Sequence, residues 1–277
     1  MIVAAFCLTL NALAAPMVDK TKFDRILAKA ESGHWSSKPI GECVGLVAEQ
    51  LLGTPYVGGT LDGSANESCT VVFEGLDCVT FAETSLGFAR MLRRGGESFD
   101  DLVSEVTYTR YRGGILDGYA SRLHYTSDWI RDNDKKGTIQ AMTKIWSGAK
   151  PLKGPFDFMT AHASRYSHLA NDPEMVEKVR HWEQDLSASK PQYFPFATVR
   201  KMQAKLQTGD IIAISDTRPG LDFAHVGLII RRNGVPHFVH ASSADKKVVF
   251  DVAIADYLAR SGKKQGIAIA RPLEPKR

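Results

Sequence analysis

GLDCVTF, residues 75–81, leads into apolar residues at helical spacing as far as Leu92. Asp77 is a typical N-cap residue, so the pattern predicts a helix that begins at Cys78. A thiol at that position lies beside the positive end of the helix dipole and its free amide hydrogens, which favour the thiolate. Those amides can also stabilise an oxyanion on a carbonyl under attack. The sequence therefore predicts a nucleophilic Cys78, with a buried structural cysteine as the alternative.

Helical patterns dominate the chain before this stretch. Apolar residues recur at helical spacing over residues 20–32 and again over residues 43–52. A later helix is predicted to open at Asp172-Pro173 and to run to about Leu186. Residues 98–200 otherwise show many aromatic side chains and few clear periodicities.

The C-terminal part of the chain is rich in β-strand patterns. Strands are predicted at residues 210–215, 225–232, 235–242, 248–252 and 266–271. Helices followed by a run of strands indicate one α+β domain, with an antiparallel sheet at its C-terminal end. Residues 98–200 are then a long insertion in the middle of that domain.

Asn233-Gly234 gives the strongest short hairpin signal in the sequence. A two-residue turn there sets His225 opposite Ser242 and His240 opposite Gly227. The two histidines then become diagonal neighbours on one face, close enough for their imidazoles to meet. We expect Gly227 to leave space beside the ring of His240.

A thiol and two histidines suit a Cys–His–polar triad. His225 would be the general base and then the acid for the leaving amine, and His240 would orient it. Two structural histidines are the alternative. A zinc site made of Cys78, His225 and His240 is a second alternative, but the sequence contains no zinc-binding motif such as His-Glu-x-x-His. We therefore predict no metal and no other cofactor.

Composition excludes some classes of function. The 277 residues are 44% hydrophobic and 24% charged, which is ordinary for a soluble globular protein, and the net charge is +4. The basic residues form short doublets and no stripe, which argues against nucleic-acid binding. No segment after the N-terminus is long and apolar enough to predict a membrane anchor.

The N-terminus resembles a secretory signal peptide. Residues 2–13 are apolar, and Ala12-Leu13-Ala14 reads as a cleavage site, although no Lys or Arg precedes the apolar run. We predict a signal peptide at residues 1–14, a mature domain at residues 15–277 and a periplasmic location. A buried N-terminal helix is the alternative.

Removal of that segment leaves three cysteines, Cys43, Cys69 and Cys78. An odd count in an exported protein points to a free reactive thiol. Cys43 and Cys69 could form a disulfide, or both could be buried free thiols.

Several of these motifs resemble the NlpC-type superfamily of papain-like cysteine peptidases and amidases. The matching segments are DCVTF (77–81), HVGLI (225–229), FVHASS (238–243) and GTPYVGG (53–59). The resemblance implies a papain-like core, in which the nucleophile at a helix N-terminus packs on an antiparallel sheet that carries the histidine. It also implies that the Tyr56 hydroxyl lies in the active site, where it would bind the oxyanion together with amides near Cys78.

A narrower resemblance is to the N-acetylmuramoyl-L-alanine amidase-like branch. It is carried by Tyr111-Arg112, GYASRLHYTSDW (118–129) and GDIIAI (209–214). The branch implies cleavage of the amide between the lactyl group of muramic acid and L-alanine, with 1,6-anhydro muropeptides as preferred substrates. The predicted partners are thus peptidoglycan fragments. The predicted substrate-binding residues are His124, Tyr125, Asp128, Trp129 and Ser242.

Three other functions remain open at this point. The nearest is an endopeptidase that cuts the γ-D-glutamyl–diaminopimelate bond of stem peptides. The second is a non-catalytic cell-wall-binding module, which an unreactive Cys78 would favour. The third is an acyltransferase acting on lipids, against which the lack of a membrane-binding segment counts.

Overall fold

A computed structural model describes residues 20–62, 66–260 and 265–276. The predicted signal peptide lies outside these residues. The helices are α1 Thr21–Ser32, α2 Ile40–Gln50, α3 Cys78–Arg94, α4 Phe99–Arg110, α5 Thr126–Lys136, α6 Phe158–Ala161, α7 Pro173–Ser189, α8 Phe196–Met202 and α9 Ile254–Arg260. The strands are β1 Ile139–Ala141, β2 Lys150–Pro151, β3 Gln192–Pro195, β4 Ile211–Ser215, β5 Phe223–Arg232, β6 Val235–Ser242, β7 Lys247–Ala253 and β8 Gly266–Pro272.

The strands form an antiparallel sheet in the order β2-β3-β8-β4-β5-β6-β7. β3 pairs with the start of β8, and β1 pairs with its end, so that these two short strands share one edge of β8. The predicted α+β class and all five predicted C-terminal strands are confirmed. β1, β2 and β3 come from the middle segment, where runs of two to four residues are too short to give a readable alternation.

Helix α3 is the central helix of the domain. It packs against α2 and α4 on its sides and against β5 and β6 of the sheet. Most of its residues are buried, including Glu83, whose carboxylate accepts a 2.7 Å hydrogen bond from Arg110 of α4. The other face of the sheet is covered by α8 and α9, which bury an apolar cluster around Phe238 and Ile269. The start of α3 is thereby held against the strands that carry the two histidines.

Cys43 and Cys69 are free thiols in this structure. The Cys43 thiol donates to the carbonyl of Trp35 at 2.8 Å, and the Cys69 thiol donates to the carbonyl of Val103 at 3.7 Å. Each thiol therefore has its own backbone acceptor. In the part of the chain that the structure describes, every helix is too short or too polar to cross a bilayer.

Candidate active site

Cys78 is the first residue of α3, as predicted. Asp77 caps the helix: its carboxylate accepts from the Thr80 amide at 2.7 Å, and the Thr80 hydroxyl accepts from the Asp77 amide at 2.9 Å. This reciprocal capping box satisfies two amides and leaves those of Cys78 and Val79 at the helix start. The Cys78 side chain is half-buried, and its sulfur forms a hydrogen bond with the backbone of Val226 in β5. The nucleophile thus lies against the strand residue that follows His225.

The hairpin of β5 and β6 has the predicted two-residue turn. Arg232 faces Val235, and both turn residues have positive φ angles, 52° at Asn233 and 78° at Gly234. This register brings the two histidine rings together. His225 Nε2 and His240 Nδ1 are 2.7 Å apart, and the ring planes are perpendicular.

The space beside Gly227 is not filled by the ring of His240, so the expectation from sequence was wrong. A Cβ atom at position 227 would lie 2.5 Å from the ring of Phe238 and 2.7 Å from the Val239 carbonyl oxygen. Phe238 occupies the space, stacks on His240 at 4.6 Å and meets the edge of His225 at 5.9 Å. The glycine therefore supports both imidazoles through a buried phenylalanine.

The pKa of Cys78 shifts in the opposite direction to the one predicted for a thiol at a helix N-terminus. Burial, followed by the charge of Asp77, raises the pKa of the Cys78 thiol to about 11, although backbone hydrogen bonds oppose that rise. Burial and then His240 lower the pKa of His225 to about 3. The Cys78 thiol and the His225 imidazole are therefore both uncharged at neutral pH, because desolvation outweighs the helix dipole here.

Two tyrosines lie close to the thiol. Burial raises the pKa of Tyr56, and the next contributions come from Cys78 and Asp77. Tyr257 of α9 was missed from sequence; burial, Asp251 and Cys78 raise its pKa, and its ring packs against His240 at 5.1 Å. No local pattern marks Tyr257, because its position depends on how α9 folds back over the sheet.

His124, Tyr125 and Trp129 line cavities beside the nucleophile. His124 and Tyr125 share a cleft with Asp77 and Val79, and Trp129 lines an adjoining apolar cavity with Val79. His124 Nε2 donates to the Tyr119 carbonyl at 2.9 Å. The Tyr125 hydroxyl donates to Glu183 at 2.6 Å.

Asp128 and Ser242 already have internal partners. The Asp128 carboxylate is buried and paired with Arg112 at 2.5 Å and Arg131 at 2.8 Å. The Ser242 hydroxyl donates to Asp245 at 2.7 Å. Both side chains hold the fold around the site, and their roles toward substrate stay predictions.

No metal-binding cluster is formed within residues 20–62, 66–260 and 265–276. The two imidazole nitrogens that could share an ion, His225 Nε2 and His240 Nδ1, hydrogen-bond each other instead.

Comparisons with known proteins show the family and the fold of the chain. The sequence model described as N-acetylmuramoyl-L-alanine amidase-like matches residues 46–267. A crystal structure of an N-acetylmuramoyl-L-alanine amidase from Bacteroides uniformis superimposes with a TM-score of 0.77 at 33% identity, over 84% of this chain and 99% of that chain. A protein from Bacteroides fragilis named as a candidate xylanase gives 0.73 at 32% identity, over 81% and 98%.

A protein from Legionella pneumophila shares the fold, with a TM-score of 0.65 at 23% identity, over 90% of this chain and 93% of that chain. A search of curated proteins gave no significant match. The family match spans most of the chain and includes Cys78, His225 and His240. This chain belongs to the N-acetylmuramoyl-L-alanine amidase-like family.

Proposed function

We propose that this chain is a cysteine amidase with a papain-like, NlpC-type core, which cleaves the N-acetylmuramoyl-L-alanine bond of peptidoglycan fragments. The observation that carries the proposal is a helix-start thiol hydrogen-bonded to the backbone of Val226, the neighbour of His225, whose Nε2 lies 2.7 Å from His240 Nδ1. We further propose that 1,6-anhydro muropeptides are the preferred substrates and that the protein is exported by its signal peptide to the periplasm.

The first step is attack by the thiol. Nε2 of His225 is hydrogen-bonded to His240, so Nδ1 of His225 is the nitrogen available to Cys78. Because the resting thiol is neutral, His225 takes its proton as sulfur attacks the lactyl carbonyl carbon. The low pKa of His225 makes this proton transfer unfavourable in the site without substrate. The attack therefore depends on stabilisation of the charges that form on the imidazole and on the substrate oxygen.

The oxyanion is stabilised by groups at the start of α3. The amides of Cys78 and Val79 hydrogen-bond the sulfur, and the Tyr56 hydroxyl is close enough to interact with the charge of Cys78. Donors placed where negative charge develops typically contribute several kcal/mol, on the order of 3 for each donor.

Collapse of the tetrahedral intermediate breaks the carbon–nitrogen bond. His225 returns its proton to the departing amine of L-alanine, which leaves a lactyl thioester on Cys78. Water then attacks that thioester with His225 as base, the sulfur leaves as the thiol, and the lactyl carboxylate is released. The same two side chains serve both halves of the reaction.

The composition of the site separates this proposal from glycoside hydrolysis. A glycosidase such as a xylanase uses a pair of carboxylates that flank the bond to be cut. The groups that converge here are a thiol and two imidazoles, which suit acyl transfer instead.

The test is digestion of four defined muropeptides that differ in anhydro or reducing sugar and in peptide length, followed by mass analysis of the products. Free anhydro-sugar and intact stem peptide support the proposal. Cleavage between D-glutamate and diaminopimelate would replace it with endopeptidase activity, and equal rates on reducing sugars would remove the anhydro preference.

A further inference from the structure

One buried nitrogen of the histidine pair has no hydrogen-bond partner among the residues that the structure describes. His240 is 2% exposed, and its Nε2 is a buried atom without an acceptor at hydrogen-bond distance among the described residues. The nearest carboxylate oxygen is Oδ2 of Asp251 on β7, which lies 3.6 Å away. A buried donor without an acceptor lowers the stability of the fold, so its presence suggests that it interacts with a charge or takes part in function.

Asp251 lies on β7 where the β6–β7 ladder is interrupted. The register shifts between His237↔Ala253 and Val239↔Phe250, so β7 carries one extra residue opposite Phe238. Such bulges bend a strand and turn a side chain away from its regular direction. Asp251 follows two residues after Val249, the partner of His240, and therefore lies diagonal to that histidine.

Three contacts hold the Asp251 bulge in place. The Val252 amide donates to Asp251 Oδ1 at 2.6 Å, and Arg260 of α9 approaches the same oxygen at 3.1 Å. His237 Nδ1 donates to the Asp251 carbonyl at 2.9 Å. These contacts engage Oδ1 and the backbone, and they leave Oδ2 to face His240.

We propose that Asp251 is a positioning residue that extends the reactive array to Cys78–His225–His240–Asp251; this inference rests on the proposed cysteine mechanism. For His225 Nδ1 to accept the thiol proton, His225 Nε2 carries hydrogen and donates to His240 Nδ1. His240 then carries its own hydrogen on Nε2, which points at Asp251. The carboxylate thus fixes both tautomers, and it stabilises the positive charge when His225 becomes an imidazolium.

Several titratable groups face the histidine pair and share in its pH response. Tyr257 of α9 packs against His240 and interacts with the charge of Cys78, and Asp245 in the β6–β7 turn acts on His240. Burial lowers the pKa of His240, while Asp251 is the largest influence that raises it. Removal of the Asp251 charge should therefore lower the pKa of His240, and by more than removal of the Asp245 charge would.

The test compares Asp251→Asn with Asp256→Asn, which removes one negative charge from an exposed position of α9. Asparagine keeps an oxygen for the Val252 amide, so the bulge can persist. For Asp251→Asn we expect kcat to fall by about 10- to 100-fold with KM within about twofold. The acid limb of kcat/KM should move to lower pH, because the histidine pair then loses its proton more readily.

Two further variants keep the test decisive if Asp251→Asn folds poorly. Asp251→Glu retains a carboxylate and should return the acid limb toward that of the wild type. Arg260→Ala alters a side chain that is 60% exposed and frees the Asp251 charge. Arg260→Ala should move the acid limb of kcat/KM to higher pH, opposite to the shift expected for Asp251→Asn. A purely structural role of Asp251 would not produce two opposite shifts.

The inference is overturned if folded Asp251→Asn matches Asp256→Asn in kcat and in its pH profile, or if Arg260→Ala leaves the limb unmoved. A second readout separates this failure from failure of the proposed function. The rate of iodoacetamide alkylation at Cys78, followed by peptide mapping, needs no substrate. Slower alkylation in Asp251→Asn supports the array even if the true substrate is another amide, whereas turnover by Cys78→Ala would reject the cysteine mechanism itself.

Discussion

Replacement of Gly227 by alanine tests how the sheet supports the histidine pair. The new Cβ would lie 2.5 Å from Phe238 Cε2, 2.6 Å from its Cζ and 2.7 Å from the Val239 carbonyl oxygen. These are closer than real Cβ contacts, and one of the three atoms belongs to the backbone of the paired strand. The ring of Phe238 is fully buried and stacks on His240, so it cannot move outward to solvent.

The size of the effect follows from this geometry. Overpacking of a buried site by one methyl group costs about 1–3 kcal/mol, and we expect the middle of that range. For a chain of this length, about 2 kcal/mol lowers the melting temperature by about 4–8 °C. The displaced Phe238 also shifts both imidazoles, and a displacement of about 1 Å in a catalytic group can cost about 100-fold in rate.

The assays are thermal unfolding followed by circular dichroism and steady-state cleavage of a muropeptide. Gly58→Ala is the matched control for thermal stability, because its Cβ meets only the Tyr56 side chain, at 3.7 Å from Cε1 and 3.8 Å from the hydroxyl oxygen. Gly227→Ala combined with Phe238→Leu should recover part of the lost stability, since the shorter side chain yields to the methyl group. A melting temperature within about 1 °C of the wild type and unchanged kcat in Gly227→Ala would show that a Cβ at position 227 does not displace Phe238 and the two imidazoles.

Three other predictions follow from the site and its supports. His240→Ala should lower kcat by about 100-fold with little change in KM, because the general base loses its orienting partner; equal activity in steady-state assays would count against the triad. Tyr56→Phe should lower kcat by about 10- to 100-fold if its hydroxyl binds the oxyanion, measured on the same substrate. Alkylation of Cys78 should accelerate from neutral toward alkaline pH, because its pKa is raised to about 11 and the reactive thiolate forms only as pH rises; a rate that levels off near neutrality would contradict the buried neutral thiol.

The helix start and the hairpin could be predicted because each depends on neighbours in sequence. Asp77 caps through a residue three positions away, and Asn233-Gly234 fixes the register of two strands by the conformation of a two-residue turn. Once the register was known, the meeting of His225 and His240 followed from the period of a β-strand.

The remaining parts of the site depend on contacts distant in sequence. Asp251 reaches His240 only because of the register in which β7 pairs with β6, and Tyr257 reaches the site only because α9 returns over the sheet. The raised pKa of Cys78 has the same origin, since burial by packed elements outweighs the local helix dipole. Asp128 matches a family motif, yet its two arginine partners become apparent only in three dimensions.

The most direct test of Cys78 as the nucleophile is turnover of a defined anhydro muropeptide by Cys78→Ala, compared with Cys69→Ala, which removes the free thiol that donates to the Val103 carbonyl of α4. Both variants should fold, as judged by circular dichroism and melting temperature. We predict that Cys69→Ala releases free anhydro-sugar and intact peptide as the wild type does, and that Cys78→Ala releases neither. Product formation by folded Cys78→Ala would contradict the assignment of Cys78 as the nucleophile.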